Sequence, residues 1–134
     1  TSNIKPRLRM TTLYYYAQMK NYLVVGPSNK SEFTTGYFTK HGDSGVDILP
    51  IADFVKEEIY ELAKYLGVND EIINKPPSAG LWENQTDEDE MGFGYSDLDK
   101  YIKTGEGKPE IVSKIKRMNK ISEHKRQFPP IFKK

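Results

Sequence analysis

The chain has 134 residues, which suits one compact domain, and 37% of them are hydrophobic and 29% charged. It contains no cysteine, which excludes a disulfide scaffold, thiol catalysis and cysteine-based metal sites and fits a cytoplasmic location. No apolar run reaches the roughly 20 residues that cross a bilayer, so we expect no membrane partner. The net charge of +1 hides an asymmetry: residues 43–90 hold thirteen acids against three lysines (−10), and the remainder carries +11.

The first part of the chain predicts a helix and then a strand, a turn and a second helix. Within Ile4–Lys20, residues spaced three and four apart fall near one face of a helix, which predicts a helix over this range. The apolar run at 22–26 ends in glycine and is typical of a buried parallel strand. A turn and a short helix through residue 36 follow it. Such units place ligands at the carboxyl ends of strands in α/β folds.

The central part predicts an extended segment followed by two helices. Residues 46–51 are largely apolar and indicate extended backbone. Asp53 is the expected N-cap of a helix with one apolar face, and Gly67 is expected to end it. A short helix near residues 69–73 should follow.

The last part predicts three more helices after a proline- and glycine-rich loop. Thr86 and the four acids after it have the pattern of a capped first helical turn, which explains these acids more simply than a metal cluster. Ser96 or Asp97 is the expected cap of a helix through residue 102. An apolar stripe predicts a final helix over about residues 110–122.

Six motifs resemble those of the ammonia-dependent NAD synthetase family, in the same order and with similar spacing. They are Asn3-Ile-Lys-Pro-Arg-Leu-Arg-Met10, Gly26-x-x-Asn-Lys-Ser-Glu32, Gly36-Tyr-Phe-Thr-Lys40, Gly42-Asp-Ser-Gly-Val-Asp47, Lys75-Pro-Pro-Ser-Ala-Gly-Leu-Trp82 and Glu123-His-Lys-Arg126. The resemblance covers nearly the whole chain and corresponds to the C-terminal half of that family. It implies an α/β, Rossmann-like adenine nucleotide alpha-hydrolase fold, of which residues 1–134 are the C-terminal portion.

The resemblance also implies a reaction: ATP adenylylates deamido-NAD, and ammonia then displaces AMP to give NAD. It implies ATP and Mg²⁺ as cofactors and a homodimer as the assembly. The residues that match the family's sites are Glu32 for the metal, Lys56 and Ser78 for ATP, and Arg7, Lys40, Asp47, His124 and Lys125 for deamido-NAD.

Two features depart from the family pattern. The phosphate-binding string Ser-Gly-Gly-x-Asp-Ser does not occur in these 134 residues, and Pro27 stands where the family has threonine. Because the chain opens with Thr1, we expect it to be a piece of a longer protein. We also expect it to leave sheet edges bare and to need a partner for folding.

A non-catalytic domain that binds a dinucleotide or a nucleic acid is the alternative function. The basic residues between 114 and 126 form a cationic stripe, but base-stacking aromatics are missing within it. Nucleic acid is therefore the less favoured partner.

Overall fold

The computed structural model describes residues 2–133, and helices dominate this range. Seven α-helices and one 3₁₀ turn occur in it: α1 Ile4–Lys20, α2 Lys30–Thr35, α3 Lys56–Tyr65, α4 Asp70–Ile73, α5 Asp87–Met91, α6 Tyr95–Thr104, α7 Pro109–Ile121 and the turn Glu123–Lys125. The helices predicted from the sequence are thus confirmed, with shifts at their ends. Among these helices, none combines the length and apolar character that a bilayer span requires.

The predicted strand pair is reduced to one parallel bridge between Val25 and Ile48. The Gly26 amide donates to the Ile48 carbonyl at 2.8 Å, and the Asp47 amide donates to the Val24 carbonyl at 2.9 Å. Val24 and Gly26 of this segment are buried, whereas Val25 is 56% exposed. Parallel sheets are stable when both faces are covered, and within residues 2–133 that cover is incomplete. The prediction of a buried strand is therefore wrong in extent.

The hydrophobic core lies where α6 packs against α2, α3 and α7. Its fully buried centre is formed by Leu98 of α6 and Ile115 of α7, both with no exposed surface. Met91, Phe93 and Tyr95 extend this core toward the segment between α5 and α6. Burying side chains of this size contributes about 2 kcal/mol each, so the core fixes how α5, α6 and α7 lie relative to one another.

A buried polar network joins α2, α3 and α6 beside the core. The Ser31 hydroxyl donates to Asp99 Oδ1 at 2.5 Å, and the Glu57 amide donates to Asp99 Oδ2 at 2.8 Å. The Lys56 amide donates to Ser31 Oγ at 3.1 Å. Since both Ser31 and Asp99 are buried, the network fixes the first residue of α3 with little freedom.

The start of α3 differs from the prediction. Asp53 is not its N-cap; the helix begins at Lys56, and Val55 is the capping residue. The Val55 amide donates to the Glu58 carboxylate at 2.8 Å, which satisfies one free amide of the first turn. Asp53 instead pairs with Lys30 at 2.9 Å.

The start of α6 also corrects a prediction, whereas α5 confirms one. Neither Ser96 nor Asp97 caps α6, because the helix begins at Tyr95 after Gly94. Tyr95 belongs to the hydrophobic core, and its burial favours a helix that begins at Tyr95 rather than after Ser96 or Asp97. Thr86 caps α5 as predicted, and its side chain accepts from the Asp89 amide.

Candidate functional site

A cleft of about 790 Å³ runs between the first turns of α1, the Val25–Ile48 pair, α2 and the loop before α5. Its volume falls within the range typical of sites for small molecules and cofactors. The charged side chains in its lining are the acids Glu32, Asp43, Asp87 and Glu90 and the bases Arg9, Lys56 and Lys125. The cleft therefore offers both signs of charge to one ligand.

Glu32 lies on the first turn of α2 and forms a reciprocal cap with Asn29. The Glu32 amide donates to Asn29 Oδ1 at 3.0 Å, and the Asn29 amide donates to Glu32 Oε2 at 3.1 Å. Glu32 Oε1 accepts from the Asn29 side-chain amide at 2.8 Å and lies 3.5 Å from Lys56 Nζ. Burial raises the pKa of Glu32, and the Lys56 ammonium opposes that shift. The carboxylate is thus held in one orientation while it faces the cleft.

Lys56 links Glu32 to a second carboxylate through an aromatic ring. Lys56 Nζ lies 4.9 Å from the centre of the Tyr95 ring, within the range of a cation–π contact. The Tyr95 hydroxyl donates to Asp87 Oδ2 at 2.9 Å. Burial, together with the charges of Glu32 and Asp87, raises the pKa of Tyr95, so its proton stays on the phenol.

Asp87 lines the cleft, and the hydrogen bonding of its buried carboxylate is incomplete. The residue is 5% exposed, and its Oδ1 atom is buried without a hydrogen-bond partner among the residues that the structure describes. A buried carboxylate oxygen without a donor is costly, because it has lost water and gained nothing in return. In residues 2–133 no group of three or more histidine, cysteine, aspartate or glutamate side chains is placed to hold a metal.

A second hydrogen-bonded group attaches the loop before α5 to the end of α2. The Tyr37 hydroxyl donates to Glu90 Oε2 at 2.6 Å, and the Gln85 side-chain amide donates to the same oxygen at 3.0 Å. Gln85 Oε1 accepts from the Leu81 amide at 2.8 Å. Burial and the hydrogen bond to Glu90 raise the pKa of Tyr37. These contacts fix the loop that presents the exposed Ser78 side chain to the cleft.

Lys125 reaches the cleft from the C-terminal end of the chain. Its ammonium donates to the Gly36 carbonyl at 2.8 Å and to the Phe38 carbonyl at 2.7 Å. An ammonium has three donors, so one remains for a ligand. Burial lowers the pKa of Lys125, which makes the charged form receptive to an anionic partner.

Three further residues predicted from the sequence lie together beside the cleft but are not part of its lining, namely Arg7, Lys40 and His124. The Lys40 ammonium donates to the His124 carbonyl at 2.6 Å, and the Arg7 guanidinium donates to the Lys40 carbonyl at 3.3 Å. All three are neighbours in sequence of residues that do line it, namely Pro6, Thr39 and Lys125.

Asp47 lies beside α1 and is not part of the cleft lining, although its sequence neighbour Val46 lines the cleft. Its Oδ2 accepts from the Val24 amide at 2.7 Å, and its Oδ1 accepts from the Tyr14 hydroxyl at 3.0 Å. The carboxylate is exposed and does not line the cleft. The structure thus brings Glu32, Lys56, Ser78 and Lys125 to one cleft. Arg7, Lys40, Asp47 and His124 are next in sequence to lining residues but are not part of the lining.

Asp87, which lines the cleft, and Tyr95, the core residue that donates to it, are residues that sequence reasoning missed. The acids at 87–90 were explained by the first turn of a helix, and three of the four are indeed exposed. One signal distinguishes the fourth: Asp87 stands four residues before Met91, a core residue, and therefore shares its helix face. Pro27 also lines the cleft, and the adjacent Ser28 is a buried hydroxyl-bearing residue at the same wall.

Comparison with known proteins identifies relatives over nearly the whole chain. The profile of the family described as NAD synthase matches residues 1–129. The chain is 58% identical over 130 residues to an NH(3)-dependent NAD(+) synthetase of Carboxydothermus hydrogenoformans, covering 97% of this chain and 54% of that protein. It is 59% identical over 134 residues to the NH(3)-dependent NAD(+) synthetase of Finegoldia magna, with coverages of 98% and 54%. The chain thus spans about half the length of the curated relatives it matches.

Solved structures also superpose on nearly the whole of this chain. The NMN synthetase of Francisella tularensis superposes with a TM-score of 0.94 at 43% identity, covering 97% of this chain and 55% of that one. The NH3-dependent NAD synthetase of Campylobacter jejuni superposes with a TM-score of 0.77 at 32% identity, covering 98% of this chain and 54% of that one.

Proposed function

The chain belongs to the NAD synthase family, and from this membership we propose that its polypeptide amidates deamido-NAD to NAD with ATP and ammonia. The substrate carboxylate attacks the α-phosphorus of ATP, and the bond to pyrophosphate breaks. Ammonia then attacks the acyl carbon of the adenylate, AMP leaves, and the nitrogen loses a proton. The protein has to hold polyanions, orient them and exclude water from the adenylate.

One observation carries this proposal: a single cleft joins Glu32, Lys56, Ser78 and Lys125, which come from four separate segments. Lys56 is placed by the buried Ser31–Asp99 network to neutralise phosphate charge as pyrophosphate departs. Ser78 offers a hydroxyl that donates to a phosphate oxygen. Lys125 offers its remaining N–H to the anionic part of a ligand.

Mg²⁺ is the metal that this chemistry implies, and the donor set of the cleft fits it. Carboxylate oxygens are the ligands this ion prefers, with phosphates and water completing its shell. Glu32 Oε2 accepts one hydrogen bond in the structure and therefore keeps a lone pair toward the cleft. When bound, the ion supplies charge neutralisation at the phosphates.

The residues beside the cleft extend the proposed substrate site. Arg7 and Lys40 provide cations, and the imidazole of His124 provides a further polar group next to Lys125. Asp47 accepts from a ribose hydroxyl in this proposal, since its oxygens retain lone pairs beyond the bonds to Val24 and Tyr14.

A homodimer is part of the proposal. Helix α1 exposes large apolar side chains, among them Leu8 at 62% and Tyr15 at 61%, which a second copy would cover. We include the Rossmann-like sheet as well, with the Val25–Ile48 bridge as its described portion. The cytoplasmic location stays a prediction from the sequence.

Amidation of a mononucleotide is the second candidate function. It is favoured by the TM-score of 0.94 with the Francisella NMN synthetase, which exceeds the 0.77 with the Campylobacter NAD synthetase. The two candidates share the adenylylation and amide chemistry and differ only in the acceptor.

The test measures AMP and amide formation by the full-length polypeptide with ATP, Mg²⁺, an ammonium salt and either acceptor. Lys56→Met should lower kcat/KM by about 100-fold, since one positioned donor to developing charge is worth that much. Lys64→Met on the exposed side of the same helix is the matched control and should leave the rate unchanged. Product with the dinucleotide supports NAD synthesis, and preference for the mononucleotide supports the second candidate. Ligand binding without either product would favour a non-catalytic domain and refute both.

A further inference from the structure

Asp87 has a feature that the proposed roles leave open: it lines the cleft, and its buried Oδ1 has no donor among residues 2–133. Its other oxygen accepts from Tyr95, and its backbone amide donates to the Pro77 carbonyl at 3.0 Å, so the side chain is fixed in place. Native proteins rarely leave such an atom unsatisfied, because its desolvation is not compensated. A ligand that brings positive charge to Oδ1 would remove this cost.

The charges around Asp87 indicate what kind of ligand this is. Glu32 and Asp87 line the same cleft as Lys56, which contacts Glu32. Glu90 also lines the cleft, but it is exposed and its Oε2 already accepts from Tyr37 and Gln85. Among the less exposed groups, two carboxylates accompany one ammonium, so negative charge is in excess, and carboxylate oxygens are the ligands that a divalent cation such as Mg²⁺ prefers.

Glu32 and Asp87 are connected by a short chain of contacts rather than being separate acids. Glu32 Oε1 lies 3.5 Å from Lys56 Nζ, which lies 4.9 Å from the Tyr95 ring centre, and the Tyr95 hydroxyl bonds Asp87. We propose that Asp87 is a second carboxylate ligand of the divalent cation that Glu32 holds, with Tyr95 as the residue that orients it. This inference rests on the proposed function, and it adds a ligand from α5 to the one expected on α2.

The test uses Mn²⁺ as the probe and measures its binding to the full-length polypeptide by the electron paramagnetic resonance signal of the free ion. Asp87→Asn keeps the shape of the side chain and removes its charge, and it should weaken Mn²⁺ binding by about tenfold or more, as should Glu32→Gln. Asp89→Asn makes the same substitution at an exposed position of the same helix and should leave the affinity within about twofold. Tyr95→Phe keeps both carboxylates and should weaken binding far less than Asp87→Asn.

A purely structural role of Asp87 would give a different pattern. Asp87→Asn and Tyr95→Phe would then have equal effects, or Asp87→Asn would bind Mn²⁺ like the unaltered protein, and either result overturns the inference. If Asp87→Asn fails to fold, Tb³⁺ luminescence excited through tyrosine provides the second measurement. A lanthanide beside Asp87 should be sensitised by Tyr95 and lose intensity in Tyr95→Phe; an unchanged intensity would overturn the inference.

Failure of the ligand assignment can be distinguished from failure of the proposed reaction. Normal NAD formation with normal Mn²⁺ binding in Asp87→Asn contradicts the ligand assignment and leaves the function intact. Loss of Mn²⁺ binding in that variant, together with no amide product from the unaltered protein, supports the ligand and refutes the function.

Discussion

Asp99→Asn should loosen the start of α3 and with it the position of Lys56. Asp99 accepts from the Ser31 hydroxyl at 2.5 Å and from the Glu57 amide at 2.8 Å, one bond on each carboxylate oxygen. A carboxamide has a single acceptor oxygen, so its NH₂ group would have to face one of these two donors. Ser31 has no easy alternative, because its oxygen already accepts from the Lys56 amide at 3.1 Å.

The magnitude follows from this geometry. The substitution removes one hydrogen bond to a charged group in a buried site and leaves a donor unsatisfied, which costs about 3 kcal/mol. If that cost is expressed as local opening, hydrogen exchange at the Glu57 amide should accelerate by roughly 100-fold, since about 1.4 kcal/mol corresponds to a factor of ten. The KM for ATP should rise in the same variant, because Lys56 begins the same helix turn.

The assay is residue-resolved hydrogen exchange on the full-length polypeptide. Asp97→Asn removes a charge from the same turn of α6, two residues earlier, and serves as the control with unchanged exchange at Glu57. An acceleration below about threefold in Asp99→Asn, or an equal one in Asp97→Asn, would refute the reasoning that the network fixes α3.

Two further predictions concern stability and titration. Gly36→Ala should lower the free energy of unfolding by more than Gly67→Ala: both positions have a φ of +70°, but a Cβ at Gly36 would lie 2.1 Å from Ser122 Cβ, whereas at Gly67 no atom lies within 4 Å. We expect about 1 kcal/mol from the backbone alone at Gly67 and at least twice that at Gly36, measured as thermal shifts. Burial raises the pKa of Tyr37 and Tyr95 above 10.0, so the folded state binds more protons than the unfolded state above that pH. The free energy of unfolding should therefore fall as pH rises beyond 10. In Tyr95→Phe, the phenolate absorbance should show one fewer tyrosine with a raised pKa.

The helices were predictable because their signals are local. Periodicity gave Ile4–Lys20, and the Thr86 cap follows from a hydroxyl residue ahead of a run of acids. The start of α3 was not predictable in the same way. Asp53 is a good capping residue by type, but Lys30, more than twenty residues away, pairs with it, and the Glu58 side chain satisfies the first turn instead. Contacts between distant segments decided this boundary.

The same distinction between local sequence signals and contacts of distant segments applies to the site residues. Glu32 and Lys56 were found because they lie in motifs that resemble a family, and the structure gives them a direct contact. Asp87 was missed because nothing in a run of four acids shows that one of them is buried. Its burial arises from the loop that precedes it, through the Pro77 carbonyl, and from Tyr95 of the next helix.

Under the proposed function, the charge pattern of the cleft would make binding of a nucleotide and of a cation interdependent. A triphosphate brought next to Glu32 and Asp87 would meet two carboxylates, and Lys56 alone does not neutralise both. A divalent ion held by these acids would reduce the repulsion between them and the phosphates, so each ligand should raise the affinity for the other by the same factor. The buried oxygen of Asp87 would gain its missing partner only when the cation binds, and a nucleotide complex without metal should therefore be weak.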